Sequence, residues 1–239
     1  QNGSSLFNGD AGSGPSEIRR YLIENDWLDA IVQLPNNAFY NTSIATYIWI
    51  VVKNKPATHQ GKVQLIDASA CCSARRKNIG SKNVDITKAC RDLIIEAYGA
   101  YADDTYNGVD ENDNAIVVKS KVMDSIELGY NKIVVETPQL DDNGNVVTKN
   151  GKPVADATKR DTENVPLAED IDAYFEREVI PYNPQAWIDK AKTKVGYEIP
   201  FTRAFYEYKQ IEPSDVIAAR IEEQAKSLMA KLHELFGGE

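Results

Sequence analysis

The sequence predicts an α/β fold, and three observations carry that prediction. Ala45–Lys53 (ATYIWIVVK) is β-branched, aromatic and apolar on both faces, the composition of a buried central strand. A helix-patterned segment, Pro15–Asn25, runs into a second short apolar stretch, Leu28–Leu34. Ser214–Phe236 aligns Ile217, Ile221, Leu228, Leu232 and Leu235 in one stripe, the mark of an amphipathic helix.

Taken in order, residues 1–14 hold Gly3, Gly9, Gly12 and Gly14 among serines and read as a loop. In Pro15–Asn25, Pro15 suits a first helical turn, Glu17 favours the positive end of the helix, and Ile18 and Leu22 share a face. Pro35 stops the Leu28–Leu34 strand, and Asn36–Ser43 is a polar loop carrying Phe39 and Tyr40. Asn54–Gly61 reads as a turn and Lys62–Asp67 as a strand. Arg75–Lys88 is basic and polar. Ile86–Tyr101 has helical spacing, with Ile86, Cys90, Leu93, Ile94 and Ala97 on one side. Asp103–Asn114 is acidic and loop-like, and Leu128–Thr137 is a strand. Asp141–Asp161 is a polar insertion whose pairs Asn143-Gly144 and Asn150-Gly151 favour type I′ hairpin turns. Leu167–Val179 reads as a helix ended by Pro181. Ser214 can cap the last helix and Gly237-Gly238 can end it.

Composition narrows the function classes. At 239 residues the chain has room for one large or two small domains, and 42% hydrophobic with 26% charged residues is ordinary for a globular protein. No apolar run approaches the roughly 20 residues that span a bilayer. The start, Gln1-Asn2-Gly3-Ser4, is neither an initiator Met nor a signal peptide, so the expectation is a chain that begins inside a longer one. Cysteines at 71, 72 and 90 lack the spacing of a disulfide framework or a zinc site, which fits a reducing cytoplasm. His59 and His233 stand far apart in the sequence, and no metal site is expected. The net charge of −9 has the wrong sign for a protein that grips DNA with its whole surface; with DNA as partner, this chain must contact it locally or leave the grip to another subunit.

Four segments have the look of sites. Gly9-x-x-Gly12-x-Gly14 precedes a helix, where phosphates bind, but its spacing fits neither a dinucleotide fingerprint nor a Walker loop, and a plain loop explains it better. Asp110-x-Asn112-x-Asn114 opens like a calcium loop, yet Ala115 replaces the needed glycine and Lys121 the bidentate Glu. Arg75, Arg76 and Lys77 form the one concentrated positive patch, either a solvated face or a DNA phosphate contact. Phe39 and Tyr40 are large aromatics in a polar loop; composition alone favours core packing slightly over an exposed role.

The stretch NGSSLFNGDAGSGPSEIRRYLIENDWLDAIVQLPNNAFYNTSIATYIWIVVKNKP, followed by GKVQLIDAS, resembles the modification (M) subunit of Type I restriction–modification systems just after its catalytic motif. The likeness continues through ETP near 136, DTENVPLAEDIDAYFEREVIPYNPQAWID, VGYEIPFTRAFYEY and the final helix. Residues 103–127 and 139–160 depart from the family pattern and look like variable insertions.

The resemblance implies the C-terminal portion of a Rossmann-like, S-adenosylmethionine-dependent methyltransferase domain, then a mixed region and a helical tail. Its sheet is mostly parallel with one antiparallel strand near the edge, and Leu28–Leu34 and Ala45–Lys53 would be its last two strands. On that scheme residues 1–70 hold the last helix and strands of the domain, 71–205 a family-specific α+β extension with insertions near 103–127 and 139–160, and 206–239 an assembly helix. The implied activity is site-specific DNA N6-adenine methylation. Family members bind S-adenosylmethionine through an upstream glycine-containing loop and methylate with an N-P-P-F/Y motif. Neither occurs here, since Asn183-Pro184 lies in the wrong context, so the cofactor site and all catalytic residues are expected outside this chain. Phe39 and Tyr40 take the place of a loop that stacks the extruded target base. The stripe Ile217, Ile221, Leu228, Leu232 and Leu235 takes the place of a helix that packs with the specificity (S) subunit, or else docks on its own domain. The implied partners are the S subunit, the restriction (R) subunit, a second M subunit and double-stranded DNA, with no membrane. The competing class is a non-catalytic adaptor, a truncated remnant that only binds the S subunit; an N-P-P-F/Y motif shortly upstream of Gln1 separates the two. Removing the strands that flank Leu28–Leu34 and Ala45–Lys53 bares an edge, so the chain by itself is expected to self-associate.

Overall fold

The computed structural model describes residues 1–208 and 212–236, without the side chains of Glu234 and Phe236. The Gly237-Gly238 helix stop lies outside the described residues. Two compact units are present, Gln1–Phe205 and Tyr206–Glu239, and each is described by itself.

The first unit is built on a five-stranded sheet, ordered β2-β1-β3-β7-β6, from β1 (Leu28–Gln33), β2 (Tyr47–Val51), β3 (Lys62–Asp67), β6 (Asp104–Val109) and β7 (Ala115–Asp124). β1 is buried along Leu28–Val32 because a helix covers each face. On one face α1 (Gly14–Glu24) brings Ile23 against Leu28, Ile31, Val63 and Leu65. On the other α2 (Lys88–Ala100) brings Cys90, Leu93 and Ala97 against Val32, Ile66, Ile116 and Val118. Alternation along β3, and along β1 past an irregularity between Leu28 and Ala30, thus sends successive side chains into two separate cores. β1 and β3 run parallel, whereas β1–β2, β3–β7 and β6–β7 are antiparallel.

Three sequence expectations change here. Ala45–Lys53 is not a buried central strand: its core, β2, ends the sheet, and Ile48 and Val51 are about half exposed. Apolar residues on both faces report what the strand could bury, and an edge strand with no described element beyond it leaves that surface open. Only Thr46 and Tyr47 are paired on the outer side, with Asn2 and Gln1. Asp103–Asn114 is not a loop. β6 and β7 form a hairpin that extends the central sheet across β3, so the sheet continues well past residue 70. Asp110, caught in the turn between them, hides that pattern in the sequence. Arg75–Lys88 likewise contains a hairpin, from β4 (Ser73–Ile79) and β5 (Lys82–Asp85).

A second sheet centres on β8 (Gly129–Glu136), flanked by β11 (Asp161–Pro166) on one side and by β12 (Trp187–Ile188) and β13 (Lys194–Tyr197) on the other. The helix expected over Leu167–Val179 is shorter, α3 (Ile171–Glu178), because Asp170 caps it by accepting the Ala173 N–H. Its Phe175 seals Ile133, Val135 and Val165. Asn150-Gly151 makes the expected tight turn between β9 (Thr148–Lys149) and β10 (Lys152–Pro153), with φ of 54° and 75°. At Asn143-Gly144 only the glycine has positive φ, since Asp141 organises a wider turn there. A short helix, α4 (Phe201–Ala204), adds Phe201 to the first core.

The second unit contains α5 (Ser214–Phe236), along which Ile217, Ile221, Leu228, Leu232 and Leu235 are all exposed. No described helix is long and apolar enough to cross a membrane.

Candidate nucleic-acid interface

In parallel α/β sheets, ligands collect beyond the carboxyl ends of the strands, where successive loops leave the sheet side by side. β1 and β3 form the parallel pair here, with their last residues in register at Gln33 and Asp67. The loop after β1 and the hairpin after β3 leave from this end. Leu34 N–H binds the Thr46 carbonyl, and Ala68 N–H binds that of Gln33.

The first loop folds tightly because two asparagines, Asn37 and Asn41, take the left-handed conformation at φ 58°. Asparagine tolerates that region better than other side chains with a Cβ. A bridge between Phe39 and Thr42 closes the turn, and buried Ala38 anchors it. Phe39 and Tyr40 are left outside the core, 45% and 63% exposed. Core packing, which composition slightly favours for these two rings, is not their environment.

The second element is the β4–β5 hairpin. Its turn residue Gly80 has φ +58°, and a Cβ there would lie 3.0 Å from Tyr40 Cε2. Asn83 N–H also reaches the Asn37 carbonyl at 3.2 Å. The hairpin that carries the basic patch and the aromatic loop, about forty positions apart in sequence, therefore touch through Gly80 and Asn83. Within the patch the three cations differ. Arg75 places one terminal nitrogen 2.6 and 2.5 Å from the two Asp85 carboxylate oxygens. Arg75, then Lys82, hold the Asp85 carboxyl below the usual carboxylate range. Arg76 and Lys77 are exposed and join no ion pair among the described residues.

Other candidates resolve into structure. Arg19, a fully buried guanidinium, donates to the carbonyls of Tyr197, Ser5, Asn8 and Gly9, which pins the segment that leads into the Gly9–Gly14 loop and the loop's first residue. A loop whose entry turns carbonyls inward onto a cation makes a poor cradle for an anionic group. Asp110 spends its carboxylate on Ser73 Oγ at 2.6 Å and on the backbone N–H groups of Asn112 and Asn114, which closes the β6–β7 turn. No cluster of metal-ligating side chains exists among the described residues. Cys71 and Cys90 are buried free thiols, and burial pushes the Cys71 thiol far up.

One polar cluster escaped the sequence reading. Asp29, buried in β1, accepts from Tyr98 Oη at 2.6 Å and faces His59 Nδ1 at 3.0 Å. His59 stacks on Tyr101 at 3.5 Å between ring centroids. A lone aspartate in the apolar run Leu-Asp-Ala-Ile-Val was the available signal. The cluster sits at the amino end of β1, away from the Phe39 loop, and fastens the Asn54–Gly61 turn and the end of α2 to the sheet.

Comparison with known proteins gives consistent results. The profile described as N-6 DNA Methylase matches residues 2–136. The chain is 41% identical over 71 residues to the Type I restriction enzyme MjaIX methylase subunit of Methanocaldococcus jannaschii, covering 29% of this chain and 13% of that protein. It is 35% identical over 97 residues to the MjaVII methylase subunit of the same organism, covering 38% and 16%. It is also 36% identical over 75 residues to the Type I restriction enzyme MpnII methylase subunit of Mycoplasma pneumoniae, covering 30% and 13%. The matched stretches thus span under a fifth of these relatives. A crystal structure of the type I restriction-modification system methyltransferase subunit from Streptococcus thermophilus is similar at 26% identity, over 52% of this chain and 22% of that one, with a TM-score of 0.39.

Proposed function

We propose that this chain, which belongs to the N-6 DNA Methylase family, is the C-terminal part of a Type I modification subunit that methylates adenine N6 in DNA at specific sites. Its part in that reaction is to receive the target base. The observation that carries the reading is the meeting of the loop that holds Phe39 and Tyr40 with a basic hairpin beyond the carboxyl ends of β1 and β3. An enzyme that modifies a base inside a duplex must swing it out and stack it on an apolar or aromatic surface. Exposed rings on a tightly folded loop suit that task, and Arg76 and Lys77, with Arg75 behind them, supply phosphate contacts in an otherwise acidic protein.

In the intact subunit, S-adenosylmethionine supplies the methyl group. The described residues do not fit a site for it, because the entry and first carbonyl of the glycine-rich loop before α1 are taken by Arg19. The helix and strands up to residue 70, with the β6–β7 hairpin that extends their sheet, then belong to the methyltransferase domain, the rest of 71–205 to an extension, and 206–239 to an assembly helix. The exposed stripe on α5 would meet the specificity subunit, within a complex that also holds a second modification subunit, the restriction subunit and double-stranded DNA. The free thiols support a reducing cytoplasm.

The test is the double variant Phe39→Ala/Tyr40→Ala in the intact subunit assembled with its specificity subunit. Base–aromatic stacking is worth about 1–3 kcal/mol per base, so methylation should drop by roughly one to two orders of magnitude while S-adenosylmethionine binding stays unchanged. Methylation at the normal rate would overturn the assignment.

A further inference from the structure

The β4–β5 pairing breaks off after Ala74↔Val84 and resumes only at Ile79↔Lys82. Residues 75–78 therefore face the single residue Asn83, and the basic triplet sits in a wide bulge. A bulge frees its residues from the ladder and re-aims their side chains. Left unheld, it would be a floppy loop. Here Arg75 folds back across it, with Nε 3.2 Å from the Lys77 carbonyl and its terminal nitrogen on Asp85.

We infer that Arg75 and Asp85 are a positioning pair that shapes the bulge, so that Arg76 and Lys77 alone face the sugar-phosphate backbone beside a base held on the Phe39–Tyr40 loop. The inference rests on the base-platform reading above and deepens it. Charge placement supports this division. Arg75, Arg76, Lys77 and Asp85 line one open cleft with Thr87 and Glu111. The Glu111 carboxyl is held below the usual range by its own backbone N–H and by Thr87. Asp85 is paired with Arg75 and Lys82, which leaves Arg76 and Lys77 as the exposed cations of that cleft with no ion pair among the described residues, and these two meet the phosphate. The hairpin touches the aromatic loop through Gly80 and Asn83, so the phosphates in reach are those next to the stacked base.

The test uses the full chain and a short duplex with one mismatched adenine, followed by fluorescence anisotropy across a salt series. Each phosphate contact on duplex DNA contributes about −0.9 to the slope of log K against log salt. Arg76→Ala and Lys77→Ala should each remove about that much. Asp85→Asn gives the deciding sign. Although it deletes a negative charge, it should weaken binding severalfold, because it releases the arginine that shapes the bulge. Arg75→Lys keeps the charge and loses the planar fork, so it should weaken binding in the same way. Tighter binding and a steeper slope in Asp85→Asn would show Arg75 to be a masked phosphate contact and would overturn the inference. If Phe39→Ala/Tyr40→Ala still weakens binding in that event, the base platform stands. If the unaltered chain shows no salt-dependent binding, the inference falls, while the base platform is judged by the methylation test on the assembled subunit.

Discussion

The ring of Tyr40 rests on Gly80, the turn residue of a hairpin nearly forty positions further along: a Cβ on Gly80 would come within 3.0 Å of Tyr40 Cε2. Gly80→Ala should have two effects. The left-handed φ of +58° costs a residue with a Cβ about 1–2 kcal/mol, which lowers Tm by a few degrees in a chain of this size. The methyl group would also push Tyr40 aside and weaken binding of the mismatched duplex. Unchanged duplex binding in the folded variant would show that the contact has no part in placing the ring.

Arg19 is expected to be the most sensitive charged residue in the first unit. Among the described residues its guanidinium hydrogen-bonds to no carboxylate; it satisfies the carbonyls of residues 5, 8, 9 and 197. Arg19→Met keeps much of the apolar stem and strands those carbonyls, each a loss of about 1–3 kcal/mol if it stays buried and unpaired. Thermal unfolding should shift down by several degrees, with faster proteolysis within residues 1–12. A Tm within a degree of the parent would mean that water replaces the guanidinium freely.

Asp110 gives the pH dependence a definite sign. The Ser73 hydroxyl, then the Asn114 side chain and backbone N–H groups, hold its carboxyl well below the ordinary value near 4. The unfolded chain therefore takes up this proton at higher pH than the folded one. The contribution is complete above about pH 5 and is lost as pH falls from near 4 toward the depressed folded value. Denaturant titrations between neutral and acid pH should show that decline, and Asp110→Asn should flatten it. An equally steep decline in the variant would assign it to other carboxylates.

The open side of β2 should make this chain self-associate. Ile48 and Val51 are about half exposed on a terminal strand, a template for pairing with another copy. Light scattering well above micromolar concentration should give more than one chain mass, and Ile48→Lys with Val51→Lys should return it to one. A single-chain mass for the parent protein removes the expectation.

The α5 stripe can be separated from folding. Ile221 and Leu228 are each 60% exposed, so Ile221→Glu with Leu228→Glu should leave the Tm of the chain unchanged. Capture by the specificity subunit should be lost, because the new charges would be buried in a helix seam. A lowered Tm would favour docking of the stripe on its own domain.

The sequence by itself determined the elements whose pattern is local. Lys62–Asp67 is a strand with those bounds, α1 lies within a residue of its expected ends, and Asn150-Gly151 turns as its residue types demand. Each depends on periodicity or on a backbone preference that neighbouring residues set. The family, too, was legible, because it rests on residue identities in order. Tertiary structure decided the rest. Whether Tyr47–Val51 is central or an edge depends on what lies beside it, and no residue in the strand encodes its neighbour. Asp104–Val109 looked like a loop because its polar residues face outward on the last strand of the sheet. Arg75, Arg76 and Lys77 are adjacent cations in the chain; the fold gives Arg75 to Asp85 and leaves the other two exposed, since electrostatic pairing is set by distance in space.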